Sequence, residues 1–219
     1  SIIIPCYNES EYISGCIDSI LKSNLKELII EIIIVDGNSS DDTKKIIQEY
    51  SLSHNFIRLL DNPKKVIPSA MNLGIKAAKY DIIMKMDAHS QYDKNYIREC
   101  VNNLMIHKVD NVGGRVIHVP REDTYLGRAI CVTLSSPFGV GNSYFRIGSN
   151  EPRLVDTVPF GCFKKETLEK INYYDENIHR SEDIVLNYKI KKCDGKILLL
   201  PNVKIYYKTR SKYLEFIKH

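Results

Sequence analysis

The strongest constraint on the fold is an alternation of two periodicities. Apolar, β-branched runs of strand length take turns with stretches of helical spacing. SIIIP (1–5), EIIIVD (31–36), FIRLLD (56–61) and DIIMKMD (81–87) read as strands, and NVGGRV (111–116) as a fifth. Between the first two, residues 9–22 place Ile13, Ile17, Ile20 and Leu21 on one helical face. SSDDTKKIIQEY (39–50) opens with capping residues and first-turn carboxylates, as a helix should. IPSAMNLGIKAAKY (67–80) carries Pro68 near its start, and 94–107 reads as a further helix. Strands alternating with helices imply an α/β fold with a doubly wound, mostly parallel central sheet. Such sheets bind ligands beyond the carboxyl ends of their strands.

The second half is less regular and reads as α+β. It holds the Gly/Ser-rich SSPFGVGNSYFRIGS (135–149) and a strand near VDTVPF (155–160). Helices are expected near 164–170 and over HRSEDIVLNYKIKK (179–192), with strands near KILLL and VKIYY. Its glycines and aromatics make 135–149 a loop over a second ligand or at a bilayer; a surface loop with a few buried aromatics is the alternative.

Composition narrows the class. The chain has 219 residues, 43% hydrophobic and 26% charged, with net charge +4. That is a globular domain large enough for a substantial core. No dense Lys/Arg stripe with interleaved aromatics occurs, so nucleic acid is not an expected partner. Six cysteines without CxxC spacing read as free, mostly buried thiols of a reducing, cytoplasmic compartment. No apolar run approaches the ~20 residues of a membrane span. The chain opens at Ser1 and ends in RSKYLEFIKH, an amphipathic stretch, so a fragment of a longer protein is expected. No GxGxxG or GxxxxGK[ST] occurs, which argues against dinucleotide oxidoreductases and P-loop enzymes.

Three strand ends carry polar clusters: PCYNE, DGNSSDD and DAH. All three should face one crevice. Asp87 and His89 are two apart at a strand end and point to one side, where carboxylate and imidazole can share a divalent cation. The alternative is a capping Asp beside a surface His. Asp36 can accept a hydrogen bond from a nucleobase imide or hold a ribose; the alternative is an Asx turn. Asp41 reads as a capping residue. Glu182 and Asp183 open a helical run behind Ser181. They are either dipole-stabilising carboxylates or a general base at the crevice rim, and pattern alone does not choose.

Taken in order, SIIIPCYNE, IIIVDGNSSDDT, PSAMNLGIKAA, IIMKMDAH, VPFGCF and SEDIVLNYKI resemble family 2 glycosyltransferases of the GT-A fold. MDAHSQY, NVGG, SPFGVGNSYFR and DTVPFGCF are similar to bacterial glycosyltransferases of succinoglycan and exopolysaccharide biosynthesis. The resemblance implies one catalytic domain, with a nucleotide-sugar half over 1–115 and an acceptor half over 116–219. It implies a nucleotide-sugar site of Pro5, Tyr7, Glu9, Asp36, Asn72 and Asp87. It implies a Mn²⁺ or Mg²⁺ on Asp87 and His89, acceptor contacts at Phe160, Gly161 and Glu182, and Asp183 as catalytic base. The implied reaction is inverting transfer of a hexose from a UDP-sugar to a hydroxyl of a lipid-linked glycan. The glycan rides on a polyprenyl diphosphate, and the full-length protein is peripheral or anchored at the cytoplasmic membrane. Two departures stand out: His89 replaces the second acid of the metal motif, and the family's later Q/R-rich acceptor motif is absent.

Other classes fit less well. A sugar-1-phosphate nucleotidyltransferase should show a Gly-rich loop after the first strand, and PCYNE has no glycine. Transfer to a polyprenyl phosphate or a protein, and a non-catalytic sugar-nucleotide or glycan-binding module, stay open. His54, His107, His118 and His179 read mostly as surface residues, with His179 near the proposed base.

Overall fold

The computed structural model describes residues 1–178 and 180–209. His179 and the amphipathic stretch at 210–219 lie outside the described residues. The order of elements is β1 (Ile2–Cys6), α1 (Ile13–Leu21), β2 (Ile32–Asp36), α2 (Thr43–Ser53), β3 (Ile57–Asp61), α3 (Ile67–Ala77), β4 (Ile82–Lys85), β5 (Ser90–Tyr92) and α4 (Tyr96–Ile106). There follow β6 (Asn111–Pro120), α5 (Tyr125–Leu134), α6 (Pro137–Val140), α7 (Tyr144–Ile147), β7 (Arg153–Leu154), β8 (Cys162–Lys164), α8 (Lys165–Lys170), α9 (Glu182–Lys192) and β9 (Ile197–Thr209).

One sheet runs β3-β2-β1-β4-β8-β6-β9-β5, with β7 on β9. β3, β2, β1 and β4 are parallel, as the alternation requires. β8 then enters antiparallel to both β4 and β6. The first half does not pass straight into its fifth strand, because β8 comes back from residue 162 to separate β4 from β6. The sheet is therefore continuous across residue 115.

Both faces of the sheet are covered, which explains the unbroken apolar runs. Ile2 and Ile4 of β1 and Ile32 and Ile34 of β2 pack on one face with α1 and α4. Ile3, Ile33 and Val35 pack on the other with α3 and α9. These side chains are essentially inaccessible, and each contributes roughly 1.5–3 kcal/mol by leaving water. Gly74 lets α3 press on β1: a Cβ there would sit 2.5 Å from the Ile3 side chain.

Several second-half expectations are corrected. No strand forms at 155–160; β7 and β8 flank that stretch instead. Pro159 has no N–H to give a ladder, and Phe160 and Gly161 both adopt positive φ. The KILLL and VKIYY segments join into one strand, β9, whose register against β6 shifts between Gly114 and Arg115. Pro201 falls within that shift, and Gly114 lets the backbone of Val203 approach to 2.5 Å from where a Cβ would stand. SSPFGVGNSYFRIGS holds the short helices α6 and α7, with α5 before them. Four cysteines are buried, Cys131 is half-buried and Cys193 exposed, all free. Among the described residues no helix is long and apolar enough to cross a membrane.

Candidate active site

β4 ends its pairing at Lys85, but Met86 still donates to the Ile3 carbonyl, so the chain leaves the sheet at Asp87. The exit is fixed. The Asp87 N–H donates to the Tyr92 hydroxyl at 2.7 Å, and the Cys16 thiol donates to the Asp87 carbonyl at 3.3 Å. His89 Nε2 lies 3.7 Å from Asp87 Oδ2, and His89 Nδ1 lies 3.0 Å from Glu9 Oε1. Burial opposes charging of His89, yet the Glu9 hydrogen bond and the Asp87 charge outweigh it and raise its pKa. Burial likewise raises the Asp87 carboxyl, against the pull of His89 and Lys85.

These residues fit a divalent cation. A carboxylate oxygen and an imidazole nitrogen face each other at a separation open to two donors of one ion. The other imidazole nitrogen is held by Glu9, the arrangement that orients metal-bound histidines. Among the described residues no third His, Cys, Asp or Glu joins them, so ligand oxygens and water would complete the coordination. Glu9, expected to cradle nucleotide, lines the smaller cavity beside Pro5 and Tyr7 and also holds His89.

Two contiguous cavities meet at this point. The smaller, of about 130 Å³, is lined by Pro5, Tyr7, Glu9, Asn62, Lys65 and His89. Tyr7 is half exposed, with the Lys65 ammonium 5.7 Å from its ring centre. The larger, of about 520 Å³, shares Glu9, Asp87 and His89 and continues to Phe160, Glu182 and Tyr207.

Glu182 and Asp183 stand at the start of α9 behind Ser181, which is in the left-handed region at φ +59°. Both are bound by one buried ammonium. Lys85 Nζ lies 2.8 Å from Glu182 Oε1 and 2.8 and 2.9 Å from the two Asp183 oxygens. Lys85 is 1% exposed. Burial alone would lower its pKa, but the charges of Asp183, the Tyr174 hydroxyl and Glu182 hold it well above the ordinary value. Two carboxylates on one ammonium leave a net charge of −1. Burial raises the Asp183 carboxyl, with the Lys85 charge opposing and Glu182 adding to the rise. Phe160 N–H also donates to Asp183, at 3.4 Å. That loop is strained: Phe160 takes φ +61°, at a cost of about 1–3 kcal/mol. Gly161 cannot be replaced cheaply, because a Cβ would strike the Phe163 ring and Asn111.

The structure therefore gathers Pro5, Tyr7, Glu9, Asp87, His89, Phe160 and Glu182 on one crevice, with Asp183 and Gly161 directly behind. Two expected residues are placed elsewhere. Asp36 is fully buried and committed to the Ser39 N–H and hydroxyl, so the Asx-turn alternative describes it. Its side chain closes the turn after β2 and does not line the cavity. Asn72 bridges to the Tyr174 backbone and to Glu176, and lines a separate hollow of about 380 Å³ beyond α3. Lys85 was not anticipated, although a lysine inside the apolar IIMKM was a legible signal. His118, Arg121 and Arg146 also line the larger cavity, drawn from elements whose position no local pattern announced.

Comparison with known proteins identifies the family and the fold. The family model described as "Glycosyl transferase family 2" matches residues 1–171. A Methanococcus voltae protein, dolichyl N-acetyl-alpha-D-glucosaminyl phosphate 3-beta-D-2,3-diacetamido-2,3-dideoxy-beta-D-glucuronosyltransferase, is 28% identical across 100% of this chain and 69% of its own length. The succinoglycan biosynthesis protein ExoA of Rhizobium meliloti is 26% identical over 96% of this chain and 63% of its own. The chain thus spans about two thirds of these relatives. Among solved structures, GalNAc-T7 with UDP, GalNAc and Mn²⁺ superposes with a TM-score of 0.74 at 16% identity, covering 96% of this chain and 44% of that one.

Proposed function

Because this chain belongs to glycosyl transferase family 2, we propose that it moves a hexose from a UDP-sugar to a hydroxyl of a lipid-linked glycan, with inversion. The fold is the GT-A fold of that family's structural neighbours. The observation that carries the reading is the meeting, in one cavity, of the Asp87–His89 pair with Glu182, which shares the Lys85 ammonium with Asp183 directly behind it.

Each residue has a task. The half-exposed Tyr7 ring offers the uracil a stacking face, with Pro5 behind it and Lys65 beside it. Asp36 acts indirectly, holding the turn after β2 through Ser39. Asp87 and His89 would hold Mn²⁺ or Mg²⁺, which supplies charge neutralisation for the diphosphate when bound. Phe160 and Glu182 line the acceptor side. Asp183 takes the proton of the acceptor hydroxyl as that oxygen bonds to C1. The C1–oxygen bond to UDP breaks on the opposite face, and the diphosphate keeps the bonding pair. Burial makes Asp183 a better proton acceptor than a surface carboxylate, and Lys85 fixes its direction. One displacement inverts the anomeric centre, so no protein nucleophile is needed.

The acceptor class rests on the relatives' names: one acts on a dolichyl phosphate-linked sugar, another serves succinoglycan biosynthesis. A lipid-linked acceptor brings the cytoplasmic protein to the inner face of the membrane. Calorimetric titration of UDP, with and without Mn²⁺, tests the donor site in wild type and Asp87→Ala. Binding that needs Mn²⁺ and disappears in the variant is the expected result. Equal binding without metal would remove Asp87 and His89 from the metal role.

A further inference from the structure

The larger cavity has a second pole that the reaction above does not use. Arg121, Arg146 and Lys208 line the wall formed by the end of β6, α7 and the end of β9. Among the described residues no carboxylate lies within ion-pair reach of any of the three. Arg146 is half-buried, and its Nε is sealed from solvent with no protein partner. Desolvation weakens its hold on the proton, opposed by Tyr207, and no carboxylate offsets that cost. His118 lines the same wall, with Nδ1 3.0 Å from the Thr209 hydroxyl and Nε2 sealed without a partner.

The wall is built. Arg115 of β6 donates to the Ile147 carbonyl at 3.4 Å and so ties down α7, which carries Arg146. Gly148 follows at φ +93°, and a Cβ there would stand 2.8 Å from the Arg115 guanidinium. The chain folds a turn tightly over one arginine in order to present the next one to the cavity.

A half-buried guanidinium with no carboxylate partner, resting over the Phe145 ring and lining a cavity with two further cations, suits an anion, and the planar guanidinium matches phosphate oxygens in pairs. In the reading above the donor diphosphate sits with Asp87 and His89. A second anion in the same cavity then belongs to the acceptor. We propose that Arg146, with Arg121 and Lys208, forms a subsite for the phosphate or diphosphate that joins the acceptor sugar to its lipid. This rests on the transferase reading. It means that the acceptor is recognised by its phosphate as well as by its hydroxyl.

Farnesyl diphosphate is the probe, titrated calorimetrically into the full chain saturated with UDP and Mn²⁺. It should bind with UDP in place, and farnesol should not. Arg146→Gln should weaken it by at least about tenfold, with Arg146→Lys between the two, at unchanged UDP affinity and melting temperature. Pyrophosphate is the lipid-free arm, and equal affinity would assign the binding to phosphate alone and keep the subsite. The proposal is overturned if UDP displaces the probe, if farnesol binds equally, if the probe does not bind, or if Arg146→Gln changes nothing. It is also overturned if Arg146→Gln weakens UDP-glucuronate but not UDP-glucose, which would place the anion on the donor sugar. Loss of UDP binding with an Arg146-sensitive diphosphate site intact would sink the donor reading alone.

Discussion

Lys85 shows what a single buried charge can decide. From the last residue of β4, two positions before Asp87, it holds two carboxylates at the start of α9. Removing the ammonium leaves both acids without their partner. Lys85→Met should cost about 3–5 kcal/mol in urea denaturation, and adding Glu182→Gln and Asp183→Asn should recover most of it. A single variant as stable as wild type would show that the clamp is not needed. Asp183→Asn alone should lower turnover by about 10²–10⁴-fold while UDP affinity stays the same. A variant that keeps its rate would exclude Asp183 as base. Asp41 is the contrasting acid, on the surface. Desolvation works against its charge, but hydrogen bonds from Thr43 and Ser10 together outweigh it and bring its pKa down to about 2. A carboxyl lowered in the native state adds stability above its ordinary value, near 4, and loses it as pH falls towards 2. The difference in urea midpoint between wild type and Asp41→Asn should therefore shrink from pH 6 to pH 3. At this scale the sequence was a good guide to chemistry and a poorer one to aim. Asp87, His89 and Glu182 could be read from their strand and helix ends. Asp36 and Glu9 point at Ser39 and His89, because which way a loop carboxylate turns depends on neighbours far along the chain.

At the scale of elements, packing follows the apolar alternation closely. α3 lies against β1 because Gly74 removes the one side chain that would hold them apart. Gly74→Ala should destabilise by about 1–3 kcal/mol through overpacking on Ile3, and Ile3→Val in the same chain should return part of the loss. Additive destabilisation in the double variant would mean that the two residues do not meet. The four parallel strands were legible because β1, β2 and β4 are buried on both faces and each of the four is bounded by turn residues. The antiparallel additions were not. β5, β7 and β8 have two or three residues each, too few for a period to register. β9 was read as two strands because Pro201 interrupts its pattern, yet the bulge absorbs that interruption.

For the molecule as a whole, the site is assembled across a single sheet. Asp87 and His89 come from the strand order that alternation predicts, while Phe160 and Glu182 come from segments more than 70 residues later and the basic wall from Arg121, Arg146 and Lys208. Asp87, His89 and Glu182 were therefore visible in local pattern, and the basic wall only in the assembled topology. The insertion of β8 beside β4 also sets a timetable. On a ribosome, β4 is complete at residue 85, but its neighbour does not exist until residue 162 has been made. Those 77 residues (162 − 85) take roughly 4–15 s at ordinary elongation rates. Through that interval the nascent parallel half has an open edge of unpaired backbone groups, a template for pairing with other chains. A slow stretch of translation between these points would prolong the exposure, and a chaperone that shields strand edges would find its client there.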